Sequence, residues 1–226
     1  IAIVNGMKRY IPYLIALSAN SPYFEGEKTG LASTRTKIFE GLPNTGIPVS
    51  LTNYSEFQKF MRTMVGANSI NSIREIWWDI RPHPGYGTVE IRVCDSIPNL
   101  SHIRDLTALI QALVVGLANH YNNGTQLPYL DSWIIYENKW RATRYGMEAK
   151  LITDSDGSQI DIRDSIKDTL IALSPEIHKL NITQEINNIL CRIKSEKSYY
   201  NDQLEIYSVN NDFNDVIRKN IETLKS

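Results

Sequence analysis

Two strand-like runs, "EIWWDIR" over 75–81 and "GTVEIRVC" over 87–94, are joined by "PHPGY". No other stretch of the chain reads as strand. Aromatic and β-branched residues favour extended backbone, and the Pro- and Gly-rich link suits a hairpin loop. Two strands alone make a marginal sheet. The chain therefore reads as α+β, with an antiparallel sheet fragment that needs further strands beside it.

The rest reads mainly as helix. Residues 1–19 place Ile3, Met7, Tyr10, Leu14 and Leu17 at helical spacing. Pro12 either kinks that helix or starts a second one. The chain opens at Ile1, inside the helix and with no cap before it, which reads as a piece of a longer polypeptide. "SANSPYFEGEKTGLASTR" is a long loop, and long loops in compact domains tend to be functional or disordered. "LPNTGIP" is a second loop, stiffened by Pro43 and Pro48. A short helix is expected from about Asn53 to Val65, with "NYSE" supplying a cap and an early acid. Helices follow over 101–121, capped by Ser101, and over 130–153, capped by Asp131 or Ser132. "TDSDGSQID" then turns at Asp156–Gly157, and 162–226 reads as three helices separated by "LSPE" and "SYYND".

Composition bounds the function. At 226 residues, 42% hydrophobic and 22% charged, the chain can bury a sizeable core as one large domain or two small ones. A net charge of -1 argues against a nucleic-acid binder. The run "LTALIQALVVGLA" is too short to span a bilayer and carries Gln111, and no signal peptide is evident. The default is a soluble cytoplasmic protein with two ordinary thiols, Cys94 and Cys191. The four histidines lack metal spacing, "DSDG" lacks the later ligands of a calcium loop, and neither common phosphate-loop motif is present.

Strand periodicity puts Thr88, Glu90, Arg92 and Cys94 on one face, and Val89, Ile91 and Val93 on the other. Glu90 and Arg92 are then either a solvated surface pair or the pairing of a magnesium carboxylate with a phosphate-gripping guanidinium. Arg35, among Ser33, Thr34 and Thr36, is either a solvated loop residue or the holder of a substrate carboxylate. Asp79 and Arg81 share a face of the first strand, where ordinary strand polarity explains them as well as a site does. In "ENKWRATRYG", Glu137, Arg141 and Arg144, with Asn138 alongside, form either a salt-bridged helix face or part of a site.

Three long stretches in order, "ALSANSPYFEGEKTGLASTRTKIFEGLPNTGIP", "WWDIRPHPGYGTVEIRVCDSIPNL" and "ENKWRATRYGMEA", resemble the carboxylate-amine ligases of the glutamate–cysteine ligase type 2 family. The resemblance runs from about Gly6 to Leu151. It weakens afterwards, though "NDQLEIYSVNNDFNDVIRKNI" is similar to the family's end, with Asp202-Gln203 where an Arg-Gln pair is usual. It implies a glutamine synthetase-like catalytic domain, whose curved antiparallel sheet, flanked by helices, holds ATP, metal and amino acid. It also implies a reaction in which the γ-carboxylate of glutamate, or of a similar acid, is phosphorylated by ATP, and an amine such as cysteine displaces the phosphate.

Carried over onto this chain, Glu90 is a Mg²⁺ ligand. Arg92 contacts phosphate and acts with Arg35 in catalysis. Arg35 and Arg81 bind substrate, and Asn138, Arg141 and Arg144 bind ATP with Arg92. The family's acidic and His-containing strands lie upstream of Ile1. Residues 1–226 are then the C-terminal portion of one catalytic domain, with loops and strands in 1–100 and helices in 101–226. The sheet is incomplete, and the piece inactive, without the N-terminal portion. The helices from 162 either close the domain or form a contact between two copies. The alternative is a truncated, non-catalytic relative that serves assembly or amino-acid binding.

Overall fold

The computed structural model describes residues 1–195 and 198–225. The order of elements is helices, a strand-bearing middle, then helices again, so the α+β expectation holds. Helix α1 (Ala2–Met7) passes through a 3₁₀ turn into α2 (Ile11–Ser18). Pro12 sits in the first turn of α2, where its missing N–H has no intrahelical role to fill, so it starts a second helix. Two short strands, β1 (Tyr23–Phe24) and β2 (Glu27–Lys28), form a small hairpin in the long loop. α3 (Thr34–Glu40), unforeseen in the sequence, follows, and then β3 (Thr45–Gly46). α4 (Tyr54–Gly66) starts as expected: the Asn53 side chain accepts from Glu56 N, and Glu56 Oε2 accepts from Thr52 N.

The expected strand over 75–81 is broken. A 3₁₀ turn covers Ile73–Glu75, β4 is Trp77–Trp78, and β5 is Ile80–His83. β4 pairs in parallel with β3, whereas β5 pairs antiparallel with β6 (Thr88–Ile91). The change of partner falls at Asp79, whose N–H donates to Gly46 O at 2.8 Å and whose carbonyl accepts from Arg92 N at 2.8 Å. The hairpin register sets Arg81 opposite Glu90 and Ile80 opposite Ile91. Among the described residues the strands form four two-stranded sheets.

α5 (Leu100–Asn122) is capped by Asn99 rather than Ser101, because the Asn99 side chain reaches His102 N at 2.9 Å. It is long and apolar enough, by length and composition, to cross a membrane. It outruns the apolar stretch of sequence because polar residues extend both ends. In this fold its Leu106, Leu109, Leu113 and Leu117 are buried in the core. α6 (Ser132–Tyr145) is shorter than the expected 130–153. It stops at Gly146, which takes φ +53; a Cβ there would lie 2.7 Å from Tyr200. The chain then forms the hairpin β7 (Lys150–Ile152) and β8 (Gln159–Asp161) around the foreseen Asp156–Gly157 turn.

Among the described residues, the remainder forms five helices, not three: α7 (Ile162–Ala172), α8 (Ser174–Leu180), α9 (Thr183–Lys194), α10 (Tyr199–Asn210) and α11 (Phe213–Lys225). Left-handed Asn181 and Asn211 end α8 and α10, stops that apolar periodicity does not mark. The main core joins α1, α2, α5 to α9 and the apolar side of the β5–β6 hairpin. A smaller core of Phe57, Ile70, Ile76 and Trp78 seats α4 behind β4.

Candidate functional site

The polar side of the β5–β6 hairpin is an arginine–glutamate–arginine array. Cross-strand pairing brings Arg81 to Glu90, and Arg81 Nε and Nη2 both donate to Glu90 Oε2, at 3.0 and 2.6 Å. Arg92, two residues on and so on the same face, donates from Nη1 to Glu90 Oε1 at 2.7 Å. Burial opposes ionisation of Glu90, but the hydrogen bonds and charges of Arg81 and Arg92 outweigh it and hold its pKa below the usual carboxylate value. Arg81 is 6% exposed, and its Nη1 also donates to the carbonyls of Ile73, Arg74 and Ile76. All three of its guanidinium nitrogens thus have partners within the fold, where the family resemblance implies substrate binding.

Arg35 approaches the backbone of Arg92 and Val93 from the first turn of α3. Its Nη2 donates to Arg92 O at 2.9 Å and its Nη1 to Val93 O at 3.3 Å, and its guanidinium lies 4.5 Å from the Phe39 ring centroid. Arg35 and Arg92 share a cleft with Thr36, Phe39, Trp77 and Asp79. The cleft holds about 10 Å³, room for roughly one water.

Two buried charges outside the sequence expectations hold Arg35 there. The first is Asp95, 6% exposed. Its Oδ2 accepts from Asn20 N and Ser21 Oγ, at 2.9 and 2.7 Å, and its Oδ1 from Ser33 Oγ at 2.7 Å, so one carboxylate staples both ends of the long loop. Ser21 Oγ in turn accepts from Arg35 N at 3.1 Å. The second is Lys139, 2% exposed. Its ammonium lies 2.6 Å from Asp79 Oδ2 and 2.7 Å from Glu40 Oε1, which joins α6 to the β4–β5 junction and to the end of α3. Burial pushes the Asp79 carboxyl up. It pushes Glu40 the same way, but there Lys139 and Lys37 prevail and the pKa falls. The sequence does carry a signal for Lys139: it stands four residues after Ile135 and three before Ala142, both buried, so it interrupts an apolar stripe.

The other candidates lie elsewhere. Asn138 is buried, donating from Nδ2 to Ile152 O at 2.8 Å and accepting from Ile152 N at 2.7 Å. Arg141 donates to Glu137 Oε1, Lys150 O and Gln159 Oε1. Both therefore fasten the β7–β8 hairpin to α6. Arg144 is exposed, its guanidinium 5.5 Å from the Tyr145 ring centroid. None of these three lines the Arg35–Arg92 cleft. Burial pushes the Cys94 thiol up to about 11, so it is a neutral packing group. Among the described residues, no group of three or more His, Cys, Asp or Glu is placed to hold a metal ion. Glu90 already accepts three N–H groups from guanidiniums. The described residues therefore do not, by themselves, fit a magnesium site.

The family described as glutamate-cysteine ligase family 2 (GCS2) matches residues 1–223. A protein of Frankia casuarinae named "Putative glutamate--cysteine ligase 2-1" is 43% identical over 197 residues, which cover 87% of this chain and 52% of that protein. One of Thermobifida fusca, named "Putative glutamate--cysteine ligase 2", is 43% identical over 187 residues, covering 83% and 47%. One of Gloeobacter violaceus with the same name is 44% identical over 170 residues, covering 75% and 46%. The chain spans about half the length of these relatives.

Proposed function

The chain belongs to the glutamate-cysteine ligase family 2, and on that premise we propose that it supplies the arginine wall of an ATP-dependent carboxylate-amine ligase. The observation that carries the reading is a local charge excess. Arg81 and Arg92 share a single carboxylate, Glu90, and Arg35 joins Arg92 in a cleft whose own carboxylate, Asp79, is paired with Lys139. Such an excess favours anions, and phosphoryl transfer to a carboxylate gathers negative charge on the reacting oxygens.

In this proposal the γ-carboxylate of glutamate, or of a similar acid, attacks the γ-phosphorus of ATP and ADP leaves. An amine such as cysteine then attacks the acyl carbon, and phosphate departs. Arg92 meets phosphoryl oxygens with the N–H groups that Glu90 leaves free, and Arg35 holds the acid's second carboxylate. Glu90 aims Arg92, and Arg81 fixes Glu90. The magnesium expected of such chemistry has no ligand set among the described residues. In this reading most of its carboxylates come from outside this chain, and Glu90 offers only the lone pairs that the guanidiniums leave open.

The test is ADP release by the full-length protein with ATP, glutamate and cysteine, and with a panel of other acids and amines. Arg92→Ala should lower kcat about a hundredfold or more, the scale of removing one donor to developing charge. Arg92→Lys should recover little of that, because an ammonium lacks the planar fork. The 226-residue chain alone should not turn over. ADP release by that piece would refute the shared site, and no ADP release by the full-length protein with any pair would refute the ligase reading.

A further inference from the structure

A cavity of about 560 Å³ opens between α1, the loop over 47–50 and the start of α6. Its volume falls within the roughly 300–1,000 Å³ typical of small-molecule pockets. It shares no lining residue with the Arg35–Arg92 cleft. The side chain that distinguishes it is Lys8, which lines the cavity and is 4% exposed. Among the described residues its ammonium makes one hydrogen bond, donated to Ser50 Oγ at 3.1 Å, and no ion pair.

A buried lysine is ordinarily paired, because an ammonium out of water costs far more than one neutral hydrogen bond returns. No residue lining this cavity is acidic, and Arg9 adds a second cation to its wall. Among the described residues, one side-chain hydrogen bond joins a carboxylate to a lining residue: Asp131 accepts the Tyr129 hydroxyl at 3.1 Å. Burial alone lowers the Lys8 pKa, to about 8, as expected of a cation without a counter-charge. The cavity is also built rather than incidental. Asn5 Nδ2 donates to Leu51 O at 2.6 Å and so ties the loop to α1. Buried Ile47 and Ile135 give it apolar walls, and exposed Tyr129 and Tyr136 stand at its mouth.

We propose that this cavity binds a small organic anion, with its carboxylate or phosphate head on Lys8 and Ser50 and its apolar or aromatic body against Ile47, Ile135 and Tyr136. The ligand supplies the negative charge that the fold omits. The proposal does not rest on the ligase reading.

The experiment is calorimetric titration of the full-length protein with benzoate, phenyl phosphate and inorganic phosphate, with benzyl alcohol as the neutral control. Benzoate or phenyl phosphate should bind. The tighter of the two identifies the head group, and inorganic phosphate should bind more weakly than phenyl phosphate. Lys8→Met should weaken binding by about tenfold or more, equivalent to about 1.4 kcal/mol. Lys8→Arg should keep binding within a few-fold, which separates loss of charge from loss of fold. Equal affinities in wild type and Lys8→Met would overturn the proposal, as would equal binding of benzyl alcohol. Absence of anion binding at millimolar concentration would also overturn it, including the case where a carboxylate elsewhere in the full-length protein already pairs Lys8.

Discussion

Replacing Arg81 with Met separates a residue that holds the site from one that touches substrate. Arg81 donates to Glu90 through two nitrogens and to three carbonyls through the third. After its removal, Ile73 O still accepts from Ile76 N, and Arg74 O still accepts from the Trp77 indole at 2.8 Å. Ile76 O loses its donor in a place where the neighbouring side chain is fully buried, which costs about 1–3 kcal/mol. The Glu90 side chain is 36% exposed, so solvent screens the lost ion pair and its share is about 1 kcal/mol. The sum is about 3 kcal/mol, at the low edge of the roughly 3–5 kcal/mol typical of breaking a buried pair. Urea denaturation followed by tryptophan fluorescence measures it, because buried Trp78 lies three residues from Arg81. Arg81→Lys should recover only part of the loss, since one ammonium cannot serve both Glu90 and the carbonyls. A loss below about 1 kcal/mol, accompanied by abolished substrate binding, would refute the positioning role and make Arg81 a ligand of the substrate.

Two further outcomes follow from buried polar groups. Asn138→Leu should cost about 2–4 kcal/mol and speed amide exchange at Ile152. Thr153 N donates to Ser158 O across the β7–β8 hairpin, so by antiparallel alternation Ile152 points its N–H and C=O away from β8, where Asn138 meets both. Unchanged exchange at Ile152 would contradict that clamp. In the ligand-free protein, Lys8 should make stability rise with pH. Its pKa is lowered from 10.5 to about 8 on folding, so between these values the unfolded chain binds more protons than the folded one. The penalty, about 3 kcal/mol, is fully present below about pH 8 and is relieved as pH rises toward 10.5. Denaturation midpoints of Lys8→Met should lose that slope and exceed wild type near pH 7; a slope equal to wild type would refute the assignment.

Much of the site's raw material is legible in the sequence. The hairpin over 80–91 follows from its alternation and its turn residues, and period two alone puts Glu90 and Arg92 on one face. The helix start at Asn53 and the restart at Pro12 are equally local, since each depends on groups within one turn. These features are visible because backbone geometry repeats at fixed spacing.

The partners of the polar groups are not visible in the same way. Nothing near Arg81 in the sequence shows that its fork closes on Glu90 and on carbonyls of the preceding 3₁₀ turn. Nor does local pattern pair Lys139 with Asp79 and Glu40, staple the long loop through Asp95, or turn Asn138 from a ligand candidate into a clamp on Ile152. The sequence by itself determined which charges the hairpin carries and which way they face. Only the tertiary structure decided which of them are neutralised within the fold and which stay open to a ligand. The physical reason is that a buried polar group must be satisfied by whatever distant segment packs against it, and residue spacing carries no record of that segment.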